Sequence, residues 1–126
     1  MIILTQIEFT ERTGISLVDE LREGDVTQDR LAETMLERWA KRVYKEINKL
    51  PHYRYYEVDE KLSEGQIEDI KQATADYGLY VLRNGDLSAT NGVDEKGIKR
   101  EVFPSFIIRD LKNHGLIFTN TKGRWY

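Results

Sequence analysis

The chain has 126 residues, of which 33% are charged and 40% hydrophobic, with a formal net charge of -3 and no cysteine. This length and balance predict one globular, soluble domain with a single core, and they argue against a disordered chain. No apolar run approaches the roughly 20 residues that cross a bilayer, and the N-terminus lacks the pattern of a secretory signal. The absence of cysteine excludes disulfides and thiolate metal sites.

The first predicted element is a short helix that begins after Thr5. The Thr5 hydroxyl and Glu8, three residues later, form the pattern of a capping box, and Gly14 stands where a helix commonly ends. An apolar patch follows, made of Ile15, Leu17, Val18 and Leu21. A helix-turn-helix reading of this region fails because acidic residues dominate its second half and would repel phosphates.

The longest predicted helix spans residues 27–50. Its apolar residues recur at helical spacing, and it should end before Pro51, which disfavours helical geometry in the residue before it. The predicted core stripe consists of Leu31, Met35, Trp39, Val43 and Ile47. The outer face of the helix is basic in its second half.

Two further helices are predicted in the second half of the chain. Ser63 and Gln66 form a second capping box, from which an apolar stripe continues to Leu82. Residues 86–103 form a long loop or a loose hairpin. Pro104 suits the first turn of a last helix over residues 105–114. The pattern therefore predicts an all-α fold: a small bundle of about four helices in residues 1–115, with long loops, and an extended C-terminal arm in residues 116–126.

No motif for catalysis, a cofactor or a metal was found. His52 and His114 are the only histidines, and neither has a second ligand at helical spacing. No phosphate-binding glycine loop or nucleophile elbow occurs. The chain is therefore expected to act by binding, without enzymatic activity and without a cofactor.

The basic face of the long helix is the best candidate for contact with nucleic acid. It comprises Arg38, Arg42, Lys45 and Lys49, and tyrosines in the next loop could stack on bases. Acidic residues are interleaved with these cations, however, and a helix face of mixed sign is more often solvated or ion-paired. A small DNA-binding or regulatory protein is therefore the alternative hypothesis.

The order of these elements resembles that of the head–tail connector, or adaptor, proteins of tailed bacteriophages and prophages. The resemblance rests on the opening helix in residues 4–14, the long helix in residues 27–50 and the segment 75–86, which ends in Asn84-Gly85-Asp86. The helix after Pro104 and the C-terminal arm complete it. Residues 96–103 have no pattern that aligns with the family.

The resemblance implies a virion protein that forms a ring, dodecameric by expectation, beneath the portal protein at the neck of the virion. Such a ring would be assembled in the host cytoplasm, without a membrane, and would extend the channel for double-stranded DNA and dock the next head-completion or tail protein. The arm would contact the portal or a neighbouring copy through Phe118, Arg124, Trp125 and Tyr126. Either the loop at residues 52–59, with Tyr53, Arg54, Tyr55 and Tyr56, or the loop at residues 86–102 would face the channel or the next ring.

Overall fold

The computed structural model describes residues 1–20, 28–47, 62–85, 87, 91–93 and 96–111. In these residues it contains five helices and no strand, which confirms the all-α prediction. The helices are α1 (Gln6–Thr13), α2 (Leu17–Glu20), α3 (Gln28–Ile47), α4 (Glu64–Asn84) and α5 (Ser105–Asp110). The one-turn helix α2, which buries Leu17, was not predicted, because four residues are too few to show a helical period.

Both predicted capping boxes are present. The Glu8 amide donates to the Thr5 hydroxyl at 3.1 Å, and the Thr5 amide donates to the Glu8 carboxylate at 3.0 Å. Ser63 and Gln66 repeat this arrangement with the same two distances at the start of α4. Gly14 ends α1 in the left-handed region, at φ 76°. The capping boxes satisfy amides that the starts of the helices leave without partners, and at the end of α1 the Gly14 amide donates to the Thr10 carbonyl oxygen at 2.8 Å.

The core is centred on the contact between α3 and α4. Both helices contribute fully buried side chains, among them Leu36, Val43, Ile47 and Ile70. One member of the predicted core stripe is not buried: Leu31 is 44% exposed. Helical spacing identifies residues that share a side of a helix, but the position of the neighbouring helices decides where the buried side ends.

Helix α1 packs against α4 and covers Trp39 of α3. Phe9 is completely buried, with its ring centroid 5.8 Å from that of Trp39. Arg12 forms an ion pair with Glu68 at 2.8 Å, and Lys71 forms one with Glu8 at 2.6 Å. Apolar packing and polar contacts thus hold α1 in place together.

The segment before α5 folds back onto α4. An isolated antiparallel bridge joins Val93 to Lys99, which favours the hairpin alternative for this stretch. The Tyr80 hydroxyl donates to the Glu101 carbonyl oxygen at 2.6 Å, and the Phe103 ring stacks on that of Tyr77 at 5.1 Å. The last helix was predicted over residues 105–114. The structure describes it as α5 up to Asp110, and residues 112–114 lie outside the described residues.

In the part of the chain that the structure describes, no helix has the length and apolar character needed to cross a membrane.

Candidate functional site

The structure places three of the four predicted basic residues on one side of α3. Arg38 and Lys45 are exposed, and Arg42 is half-buried. Lys49 lies outside the described residues, as do the tyrosine loop with Tyr53, Arg54, Tyr55 and Tyr56, both histidines, and the arm residues Phe118, Arg124, Trp125 and Tyr126. The candidate site is therefore built from α3 and its neighbours.

A groove of about 340 Å³ lies between α3 and α4. Its lining combines an apolar floor with a basic rim: Met35, Arg38, Trp39, Lys41, Arg42, Lys45, Tyr77 and Val81. We call this surface the basic flank of α3. Cations around an apolar floor suit a ligand that carries negative charge beside an apolar group.

The cations of the basic flank differ in how far they are already engaged. Arg42 forms an ion pair with the buried Glu46 at 3.4 Å and lies over the Phe103 ring, 5.9 Å from its centroid. Lys41 pairs with Glu37 at 3.1 Å, a contact between two exposed side chains that contributes little stability. In the described part of the chain no ion pair engages Arg38 or Lys45. These two residues are therefore the available cations of the flank.

A second groove lies between α3 and the N-terminal segment. Its volume is about 630 Å³, and its lining is apolar and acidic: Ile3, Leu4, Thr5, Gln6, Ile7, Glu33 and Glu37. We call this surface the acidic flank. Ile7 is 72% exposed and Ile3 is 38% exposed, so apolar surface faces solvent beside two carboxylates.

The acidic flank was not predicted from the sequence, although one signal pointed to it. Ile7 and Phe9 are both large and apolar. They are two positions apart in the same helix, so their side chains point about 200° apart around its axis. Only one of them can face the core. Phe9 takes that place, and Ile7 is left on the surface.

One described carboxyl has the raised pKa that often accompanies functional sites. Burial raises the pKa of Asp76, the nearby Asp110 charge raises it further, and a hydrogen bond from Gln72 opposes the shift. Gln72 also accepts from Arg12, so the network joins α1 to α4. Among the described residues there is no group of three side chains able to hold a metal ion. This network is best explained as structural.

Comparisons of the chain with protein-family models, with curated proteins and with solved structures give no match. The relation to head–tail connectors therefore depends on the sequence resemblance, and it stays a prediction.

Proposed function

We propose that this protein is a structural virion component, a head–tail connector that assembles as a ring beneath the portal protein. The observation that carries the proposal is the pair of flanks on α3, one basic and one acidic, each with an apolar floor or edge. A ring requires two different, complementary surfaces on every copy. The all-α fold and the order of its helices agree with the resemblance.

In this proposal the ring extends the DNA channel and docks the next head-completion or tail protein. A conduit should let double-stranded DNA slide without sequence-specific binding, and the net charge of -3 suits that task because it does not attract phosphates. In this proposal the C-terminal arm contacts the portal or a neighbouring copy through Phe118, Arg124, Trp125 and Tyr126. No part of this role needs a cofactor or a chemical step.

The alternative function is DNA binding through the basic face of α3. The exposed Arg38 and Lys45 favour it, because clustered cations bind the phosphates of nucleic acid. The pairing of Lys41 with Glu37 and of Arg42 with Glu46 weighs against it, because these cations already have carboxylate partners. The connector is the better-supported of the two.

The deciding experiment is light scattering on the purified protein, alone and mixed with the portal protein encoded in the same genome. A salt-dependent titration with double-stranded DNA is made on the same preparation. Ring-sized mass or portal-dependent association, with negligible DNA affinity at physiological salt, supports the connector. A monomer or dimer that ignores the portal and binds DNA with a steep salt dependence supports the alternative.

A further inference from the structure

Two surfaces of opposite charge lie next to each other around one helix, α3. The basic flank opens between α3 and α4, and the acidic flank opens between α3 and the N-terminal segment. Glu33 and Arg38 are five residues apart, which places them about 140° apart around the helix. Glu33 therefore cannot form an ion pair with Arg38 of its own copy.

The charges that define the flanks are available for contact with another molecule. Arg38, Lys45 and Glu33 are exposed, and no ion pair engages them in the described part of the chain. Apolar surface accompanies both charges: Ile7 and Ile3 on the acidic flank, and Leu31, 44% exposed, one heptad before Arg38 on the basic side. Complementary charge around exposed apolar residues is the arrangement found at specific protein interfaces.

We infer that the basic flank of one copy binds the acidic flank of the next copy of this chain. Arg38 and Lys45 would face Glu33 of the neighbour, with Ile7 of the neighbour covering the apolar floor near Met35. The contact is head-to-tail, so repeated copies close into a ring when the rotation between them permits it. The inference rests on the proposed function, and it names the surfaces through which the ring would form.

The test uses two charge-reversed variants of the full chain. One carries Arg38→Glu and Lys45→Glu, which replaces the two available cations of the basic flank with carboxylates, while Lys41 and Arg42 keep their partners Glu37 and Glu46. The other carries Glu33→Lys, which replaces the available carboxylate of the acidic flank with a cation and leaves the apolar Ile7 in place. The Lys41–Glu37 pair is left unchanged because it joins the two flanks within one copy.

Each variant alone should associate about a hundredfold more weakly than the natural chain, because like charges then meet at every contact. Mixed in equal amounts, the two variants should recover the mass of the natural assembly, with alternating copies, because each contact is again complementary. Light scattering or sedimentation of the natural chain, of each variant and of the mixture measures this. Raising the salt concentration should weaken the natural assembly and the mixture alike.

Control variants carry matched charge changes outside both flanks. Arg83→Glu with Lys99→Glu matches the first variant, and Glu11→Lys is the control for reversing a glutamate, all at exposed positions. These controls should assemble as the natural chain does. Circular dichroism of every variant checks that its helices are intact.

The outcomes separate this inference from the proposed function. Association that survives both reversals, or a mixture that stays monomeric while the natural chain assembles, overturns the head-to-tail contact even if the portal is bound. A natural chain that is monomeric both at high concentration and on the portal also overturns it. Recovery in the mixture without any affinity for the portal supports the contact and removes the connector role.

Discussion

Gly78 lies in the second half of α4, against Trp39 of α3 and Phe9 of α1. A Cβ atom built at this position would lie 2.5 Å from Trp39 Cε3, 2.6 Å from Trp39 Cζ3 and 3.0 Å from Phe9 Cε1. These distances are too short for normal contacts between carbon atoms. The absence of a side chain at residue 78 therefore allows three helices to meet.

We predict that Gly78→Ala lowers the free energy of unfolding by up to about 2 kcal/mol. Alanine favours a helix over glycine by about 1 kcal/mol, but crowding a packed core costs about 1–3 kcal/mol, so the clash should prevail. Urea denaturation measures the change. In a Trp39→Phe background the cost should shrink, because the smaller ring leaves room; a stabilised Gly78→Ala would show that helix propensity outweighs packing.

The Asp76 carboxyl gives a second prediction at the residue scale. Burial raises its pKa above the ordinary value of 3.8, so the folded protein binds this proton more tightly than the unfolded chain does. The group therefore lowers stability as pH rises through the window above 3.8. Asp76→Asn keeps the oxygen that accepts from Gln72 but removes the charge. We expect a higher melting temperature at pH 7 and a smaller gain at acid pH.

Glu8 provides a control for Asp76, because its pKa is shifted in the opposite direction. The hydrogen bond from Lys71, followed by the one from the Thr5 amide, lowers the pKa of Glu8 below 4.5. Its contribution to stability is therefore present above pH 4.5 and is lost as pH falls through the lowered value. Glu8→Gln should lower the melting temperature at pH 7 and lose that effect in acid. Equal shifts at both pH values for either variant would mean that titration is not their cause.

At the scale of the element, α1 depends on one buried side chain. Phe9 is fully buried against Trp39, whereas the ion pairs of Arg12 and Lys71 are partly exposed and contribute less. The eight residues of α1 are also too few for a stable isolated helix. Packing of Phe9 is thus the main force that holds α1 on the bundle.

We predict that Phe9→Ala costs about 3–5 kcal/mol, the usual range for removing a buried phenylalanine. Because small domains have a total stability of about 5–15 kcal/mol, this loss should leave the protein close to unfolding. Ile7→Ala in the same helix is the matched control. Ile7 is 72% exposed, so the change should stay within about 0.5 kcal/mol. Similar losses for the two variants in urea denaturation would contradict the assigned orientation of α1.

At the scale of the whole molecule, the helical core and the C-terminal arm should be separable. The core cluster of the described residues runs from Leu4 to Leu111. The aromatic arm, residues 116–126, comes later in the chain, and we propose that it contacts the portal or a neighbouring copy. Deleting residues 118–126 leaves every described core side chain in the protein.

We predict that this deletion preserves the far-ultraviolet circular dichroism and the melting temperature but abolishes association with the portal. Aromatic anchors carry much of the energy of protein interfaces, so the loss should be large. Replacing residues 118–126 with a glycine–serine segment of equal length controls for chain length. If the truncated chain assembles normally, the arm has no such role.

Much of the helical framework could be predicted from the sequence because it depends on contacts within one or two turns. The capping residues Thr5 and Ser63 act on amides three positions away, and Gly14 ends α1 through its own backbone. The repeat of apolar residues likewise marks one side of α3 and α4 without knowledge of any neighbour. Residue type and spacing by themselves therefore determined the all-α class and the starts of α1 and α4.

The tertiary structure decided everything that depends on which elements meet. Only the packing of α1 and α4 around α3 placed Leu31 on the surface and made Gly78 necessary. The two flanks of α3 arose in the same way, since each groove combines residues from segments far apart in the chain. The physical reason is that local periodicity specifies a direction around one helix. A surface needs the relative positions of several helices, and long-range packing of side chains sets those positions.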